Sequence, residues 1–497
     1  MNMMSSFSSS REEEEDSSDP QCQQLVPQPS RGFIGTGASA ANAIRMNMRQ
    51  LLISCAELVS QSDFRAAYHL LSLISANSSP SGDSTQRLVH QFAAALSLRL
   101  KRMIRPAAAH AGGGHHHLSS FMMTNIKNSS INKNKNINNN YSITNIVATA
   151  AASGGGASSS CVAEYYCSSS PETLQSSYLS LNQITPFVRF SQLTANQAIL
   201  EATEGQQAIH IIDFDILHGV QWPPLMQAIA DRHRTSLPES CNHDHPRPPT
   251  PMLRITGTGQ DLELLRRTGD RLLKFAQSVG LNFQFHILLL NHDDDPAAAA
   301  SMAGAEDDDL ISCLPSALAL LPDEVLAVNC GFYLHRLLRD DNRLISLFLQ
   351  KIKAMKPKVV TVAEREANHN QPVFLERFVE AVDHYTAIFD SLEATVPPNS
   401  RERLAVERIW FGKEIVDIVA AEGDQRRERH QRLESWQAML RGSGFSNVPW
   451  SGFALSQAKL LLRLHYPSEG YHLQSLNDSA LFLGWRNQPL FSVSSWH

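Results

Sequence analysis

Five short apolar runs constrain this chain more than any other feature: AIHIIDFD (208–215), MLRITGTG (252–259), NFQFHILLL (282–290), EVLAVNC (324–330) and KVVTVAERE (358–366). Their hydrophobicity is continuous rather than alternating, which marks strands covered on both faces, as in a parallel sheet. Between most of them lie amphipathic helical stretches. DLELLRRTGDRLLKFAQSVG (261–280) places Asp261 at its N-cap, and DDNRLISLFLQKIKAMKP (340–357) ends in lysines and a stopping proline. Strand–helix alternation repeated five times predicts a doubly wound, Rossmann-like α/β domain.

The C-terminal part breaks that rhythm. Helices are expected through Leu404–Ala421 and His430–Arg441, then closely spaced strands at KLLLRLHY (459–466), SALFLGWR (479–486) and PLFSVSSW (489–496). Strands so close together pair antiparallel. Five parallel strands followed by an antiparallel set resemble the layout of class I methyltransferases.

Ahead of the sheet, RQLLISCAELVSQSDFRAAYHLLSLIS (49–75) carries Leu51, Cys55, Leu58, Val59, Ala66, Leu70 and Leu73 at helical spacing. A second helix follows, capped by Asp83 or Ser84, with Leu88, Phe92, Ala95 and Leu96 as its apolar stripe. The pattern lasts too few heptads for a coiled coil, so a helical hairpin packed on the rest is expected. Thr185 caps a further helix with Pro186 in its first turn.

Composition divides the chain further. Residues 1–46 are rich in Ser, Gln, Glu and Pro and are expected to be disordered. Residues 47–105 are expected to form the first part of a helical cap and 171–205 its second part, with the α/β core at 206–497. Between the two cap parts, 106–170 reads as a low-complexity Asn/Gly/Ser insertion. Within it, His115, His116 and His117 form a triplet without a fixed fourth ligand, which argues against a metal site. Shorter loops are expected at 240–251 and 292–309.

Seven scattered cysteines without a CxxC pair fit free thiols in a reducing compartment. The N-terminus has no apolar h-region, so no secretory signal is expected. No run of about 18 apolar residues suggests a membrane span. With 43 basic residues against 49 acidic ones, the chain is not built to coat nucleic acid.

The first strand ends in Asp213 and Asp215, where a nucleotide-binding α/β protein would begin its ligand site. Such a site wants a glycine-rich turn for close backbone approach. Here the turn carries Ile216, Leu217 and His218 with the single glycine Gly219, then Gln221, Trp222, Pro223 and Pro224. No cofactor is therefore expected. His210 reads as a core histidine bonded to a neighbour. Asp213 and Asp215 are expected to accept bonds from loop amides, and Trp222 to form an aromatic lid at a rigid helix entry. Glu364, Arg365 and Glu366 end the fifth strand at the same rim, where a structural ion pair is favoured over a catalytic arrangement. RRERHQR (426–432), the densest basic cluster, reads as a solvated helix face, with nuclear import or phosphate contact as alternatives. No GxSxG, HExxH, P-loop or metal-ligand spacing occurs.

Over about Met48 to His497 the sequence resembles the plant GRAS family of transcriptional regulators. The likeness rests on a first leucine-rich region (about Leu51–Leu100), TANQAILEA (194–202) and IHIIDFDILHGVQWPPL (209–225), which has Ile209 in place of the motif's Val. It continues through a second leucine-rich region (about Leu262–Leu290) and VVTVAEREANHNQPVFLERFVEAVDHYTAIFDSLEA (359–394). It ends in a closing block with RIWFGKEIVDIVAAEG, Trp436, Trp450, Trp485 and Trp496. The wording of 253–281 is most similar to the Lateral suppressor branch. The resemblance implies a nuclear, non-enzymatic regulator that scaffolds DNA-binding transcription factors and touches DNA weakly or indirectly. It also implies pairing with itself or other GRAS proteins and a role in axillary meristem initiation. A methyltransferase-like small-molecule binder and a direct sequence-specific DNA-binding factor are the alternatives. The acidic rim of Asp213, Asp215, Glu364 and Glu366 is expected to meet basic faces of partners.

Overall fold

The computed structural model describes residues 37–110, 171–235, 250–289, 320–476 and 479–497, with isolated positions between 311 and 318. Residues 1–36 of the stretch expected to be disordered, the insertion beyond His110 with its histidine triplet, and most of the two shorter loops lie outside the described residues. Residues 37–46, also expected to be disordered, and 106–110, expected in the insertion, are instead helical, within Gly37–Ser60 and Ser84–His110.

One mixed sheet organises the chain from Arg45 onward. Strands β1 (Ala208–Asp213), β2 (Met252–Gly259), β3 (Asn282–Leu289), β4 (Val325–Gly331) and β5 (Val359–Arg365) run parallel in the order 3-2-1-4-5. The five runs legible in the sequence are these five strands. Beyond β5 the sheet continues antiparallel through β9 (Gln488–Trp496), β8 (Ala480–Trp485) and β7 (Tyr471–Leu476), with the short β6 (Asn447–Val448) also on β9.

The helices in chain order are α1 (Gly37–Ser60), α2 (Phe64–Ala76), α3 (Ser84–His110), α4 (Pro171–Ile184), α5 (Pro186–Ala202), α6 (Trp222–Thr235), α7 (Leu262–Val279), α8 (Arg343–Ala354), α9 (Phe374–Thr395), α10 (Arg401–Ala405), α11 (Gly412–Ala420), α12 (Leu433–Gly442) and α13 (Gly452–His465). A π-helical stretch, Val406–Phe411, joins α10 to α11. Asp261 caps α7 as expected, its carboxylate accepting from the Leu264 amide at 2.9 Å.

The pleat sorts the strands into two cores. Ile209, Ile211, Ala327 and Ala363 point into a large core shared with α1–α7, α9, α11 and α13. Ile212, Val328, Val360 and Val362 point into a second core with α8, α12 and Trp496. Helices on both faces are what continuous strand hydrophobicity demands.

Two local expectations need correction. KLLLRLHY is the second half of α13, not a strand, because Ser451 caps a helix there by accepting from the Ala454 amide at 3.1 Å. The run has leucines but no β-branched residue, so length and composition favour helix. The additional antiparallel strand is β7 instead. The N-terminal leucine stripe also changes phase. Ser62, at φ +62°, ends α1, and the buried positions of α2 are Ala67, Leu71 and Ile74 rather than Ala66, Leu70 and Leu73. Leu73 is exposed.

One close approach is a test of α7 against β3. A Cβ added at Gly269 would sit 2.4 Å from Phe285 Cδ1. Gly269→Ala should therefore destabilise the domain by about 1–3 kcal/mol through overpacking, measured by denaturant unfolding. An unchanged midpoint would mean that the Phe285 ring yields freely.

Candidate functional site

The C-terminal ends of β1, β4 and β5 form the rim where an α/β protein of this type places its site. Asp213 ends β1 with its side chain on the large-core face. Its carboxylate accepts from Asn329 Nδ2 at 2.7 Å and from Trp222 Nε1 at 2.8 Å. These partners are side chains, not the loop amides expected. Burial pushes the Asp213 carboxyl up to about 7, against the pull of those two donors. Trp222 is fully buried, so it is a core residue bonded to Asp213 rather than a lid. Gln221 joins the network, donating to Asn196 Oδ1 of α5 at 3.1 Å, while Asn329 donates to Gln221 Oε1 at 3.2 Å.

The turn after β1 is closed on itself. Asp215, Leu217 and Gly219 all have positive φ. The Asp215 amide donates to Thr258 Oγ1 at 2.9 Å, Ile216 N to Thr258 O at 3.0 Å and Gly219 N to Ile216 O at 2.9 Å. These three backbone donors, which could otherwise face a phosphate or ribose, are spent inside this protein. Ile216 also lies over β2, where a Cβ on Gly257 would meet it at 2.9 Å and Phe285 at 2.8 Å. Gly257 thus makes room for Ile216 and Phe285, whereas Gly259 faces Leu265.

His210, mid-strand on β1, bonds Thr256 Oγ1 at 2.8 Å through Nε2, and its Nδ1 faces Arg254 at 3.2 Å. Burial, then Arg254, lowers its pKa to about 3, so it is a neutral core histidine. Arg254 in turn pairs with Glu324.

Glu364 and Glu366 lie on one face and Arg365 on the other, and the three differ in their partners. Glu364 lies on the second face and accepts from the His335 ring at 2.7 Å and the His335 amide at 3.2 Å. Arg365 lies on the large-core face and pairs with Glu414, which also accepts from Tyr385 Oη at 2.8 Å. Glu366 receives the Leu433 amide at the start of α12 at 3.2 Å, and burial raises its pKa to about 7. Arg365 does form a structural ion pair, but with Glu414, 49 positions away, rather than with Glu364 or Glu366 of the same rim.

The acidic rim expected to face partners is largely internal. Asp213, Glu364 and Glu366 are buried, and Asp215 is paired with Arg336. The basic cluster is likewise turned inward, so neither a solvated face nor a phosphate patch describes it. Arg426 donates to His369 O at 2.8 Å, Arg429 to Asp340 Oδ1 at 2.8 Å and to Gly423 O at 2.8 Å, and His430 is fully buried. Of its outer members, Arg432 pairs with Glu380 at 2.7 Å and stays half-exposed.

Trp450, Trp485 and Trp496 are also buried. Trp485 stacks edge-on to Tyr471 at 4.8 Å, and Trp496 Nε1 donates to Ser494 Oγ at 2.9 Å. Residues that sequence reasoning missed are Asn329, His335, His369, His384, Glu414 and Glu428. Asn329 alone carried a signal, as a polar residue near the end of an apolar run.

Residues 48–497 match the GRAS domain family. The chain is 48% identical to Scarecrow-like protein 18 of Arabidopsis thaliana over 452 residues, covering 90% of this chain and 91% of that one. It is 39% identical to Protein MONOCULM 1 of Oryza sativa subsp. japonica, covering 90% and 88%. The crystal structure of SCL7 in Oryza sativa superposes with a TM-score of 0.62 at 30% identity, covering 90% of this chain and 99% of that chain. With the family's motifs in order along the same stretch, this chain belongs to the GRAS family of plant transcriptional regulators.

Proposed function

We propose that this GRAS protein is a nuclear, non-enzymatic regulator that scaffolds DNA-binding transcription factors, with a role in axillary meristem initiation and shoot branching. The observation that carries the reading is the inward wiring of the strand-end rim. The Asp215, Ile216 and Gly219 amides of its turn are bonded within the chain, its carboxylates each accept from partners inside the protein, and Asp213, Trp222 and Gln221 are joined through Asn329. A catalytic site instead needs polar groups aimed at a reacting atom. In this reading His210, Asp213, Asp215, Gln221, Trp222, Glu364, Arg365, Glu366, Trp450, Trp485 and Trp496 are the frame that keeps the partner-facing surface rigid. Pairing with itself or with other GRAS proteins belongs to the same reading.

The route to genes is indirect. DNA affinity rests largely on phosphate neutralisation by Lys and Arg, and here Arg426 and Arg429 are committed inside the protein. Non-specific binding on the order of 10⁻⁴ to 10⁻⁶ M at physiological salt is what the remaining surface supports. Promoter occupancy in cells should vanish when the DNA-binding partners are removed. The purified protein should show little preference between a target promoter fragment and scrambled DNA in a binding titration. Nanomolar, sequence-selective binding by the protein alone would overturn the scaffold reading and favour the direct DNA-binding alternative. Saturable heat from adenosylmethionine in calorimetry would favour the small-molecule alternative.

A further inference from the structure

Three side chains from two distant segments converge beside the ends of β4 and β5. His335 lies on the 3₁₀ turn Leu334–Leu337 after β4, and Glu428 and His430 lie on the segment leading into α12. Their ligand atoms all lie within 4.8 Å of one another. Both histidines are buried, and Glu428 is partly buried.

Hydrogen bonding alone leaves this cluster unfinished. His335 Nε2 and His430 Nε2 approach the same Glu428 oxygen, Oε2, at 3.3 and 3.2 Å. Neither nitrogen makes a hydrogen bond of acceptable geometry, although both are sealed from solvent. A charge-assisted N–H···O bond would close to about 2.7–2.9 Å. The Nδ1 atoms do bond well. His335 Nδ1 meets Glu364 Oε2 at 2.7 Å, and His430 Nδ1 meets His369 Nδ1 at 2.9 Å.

We propose that His335 Nε2, His430 Nε2 and Glu428 Oε2 bind a divalent transition-metal ion, zinc by preference, that fastens the segment before α12 to the rim of the sheet. Zinc takes His nitrogen at about 2.0–2.1 Å and carboxylate oxygen at about 2.0–2.2 Å, and tetrahedral angles then separate two ligand atoms by about 3.3 Å. The observed nitrogen–oxygen separations are that spacing. Nitrogen ligands favour zinc over magnesium or calcium, which prefer oxygen.

The surroundings fit as well. A metal-bound histidine donates its other ring N–H to a carboxylate or neighbouring acceptor, and Glu364 does this for His335. Two carboxylates, Glu428 and Glu364, balance the divalent charge. The nearby cations are already paired, Arg365 with Glu414, Arg336 with Asp215 and Arg429 with Asp340. The fourth coordination position is left for a water molecule. The competing occupant is a proton on His335 shared between Glu364 and Glu428.

The test uses the full chain with His115, His116 and His117 changed to Asn, so that the triplet cannot supply zinc binding. After chelation and desalting, zinc is titrated in competition with a chromophoric chelator. One equivalent should bind with sub-micromolar Kd and raise the melting temperature by several degrees. Glu428→Gln and His430→Gln should each weaken binding at least ~100-fold, and Glu364→Gln about 10–100-fold through the lost orienting bond. Should the His430 variant not fold, zinc absorption spectroscopy on the parent decides, with two imidazoles and carboxylate oxygen expected in the first shell. Absence of stoichiometric binding, binding unaffected by Glu428→Gln, or a first shell without two imidazoles would overturn the proposal and leave the proton as occupant.

Discussion

Arg87→Met should cost about 3–5 kcal/mol of unfolding free energy, because it strands a carboxylate in the core. Arg87 and Glu407 are both essentially buried and meet as a two-point pair, Nε to Oε2 at 2.6 Å and Nη2 to Oε1 at 2.9 Å. Arg87 also donates to Gly82 O at 2.6 Å and pairs with Glu393 at 2.9 Å. The pair ties α3, part of the first leucine-rich region, to the π-helical stretch Val406–Phe411 some 320 positions away. The N-terminal helices are thus bolted to the C-terminal half and share its core, where Phe92 packs edge-on to Phe378 at 5.5 Å. The double change Arg87→Met with Glu407→Leu should recover most of the loss, since paired apolar replacements of a buried ion pair are often neutral or better. Denaturant melts of the single and double variants check this. A single-variant cost below about 1 kcal/mol would mean that water reaches Glu407, and the clamp would then be no clamp.

What the sequence revealed and what it hid divide along a physical line. Strands covered on both faces write themselves as unbroken apolar runs, so β1 to β5 were legible with their parallel pairing. The glycine-poor turn after β1 was legible too, because Ile216 and Leu217 occupy positions that only small residues could leave open. Long-range polar pairing leaves no such trace. RRERHQR reads as a surface cluster because seven adjacent positions carry four arginines and a histidine. Its burial depends on Asp340, Asn370 and the His369 carbonyl, which come from loops 57–89 positions away. The same blindness hid His335 and Glu414, whose partners lie on other elements. KLLLRLHY failed for a different reason. Short leucine runs satisfy helix and strand alike, and the deciding Ser451 cap lies eight positions upstream.

Asp213 should make the domain lose stability as pH rises from about 4 to about 8, by roughly 4 kcal/mol from this one group. Its carboxyl has an ordinary value of 3.8 and is pushed by burial to about 7 in the folded chain. Between those values the native state holds a proton that the unfolded state has released, so unfolding becomes easier as pH climbs. The contribution is complete below about 3.8 and gone once pH passes about 7. Asp215 adds to the upward push, whereas Asn329 and Trp222 oppose it as hydrogen-bond donors. Other buried groups also titrate, so the readout is a difference. Unfolding free energies of the natural chain and Asp213→Asn are measured in parallel across that window. The asparagine variant forfeits one donor–acceptor match at every pH, a constant offset that does not affect the slope. Its stability relative to the natural chain should rise steadily toward pH 8. A difference that moved the other way would show that the Trp222 and Asn329 donors outweigh desolvation. Asp213 would then be a buried carboxylate held ionised by its network, with the rim carrying a full negative charge at its centre.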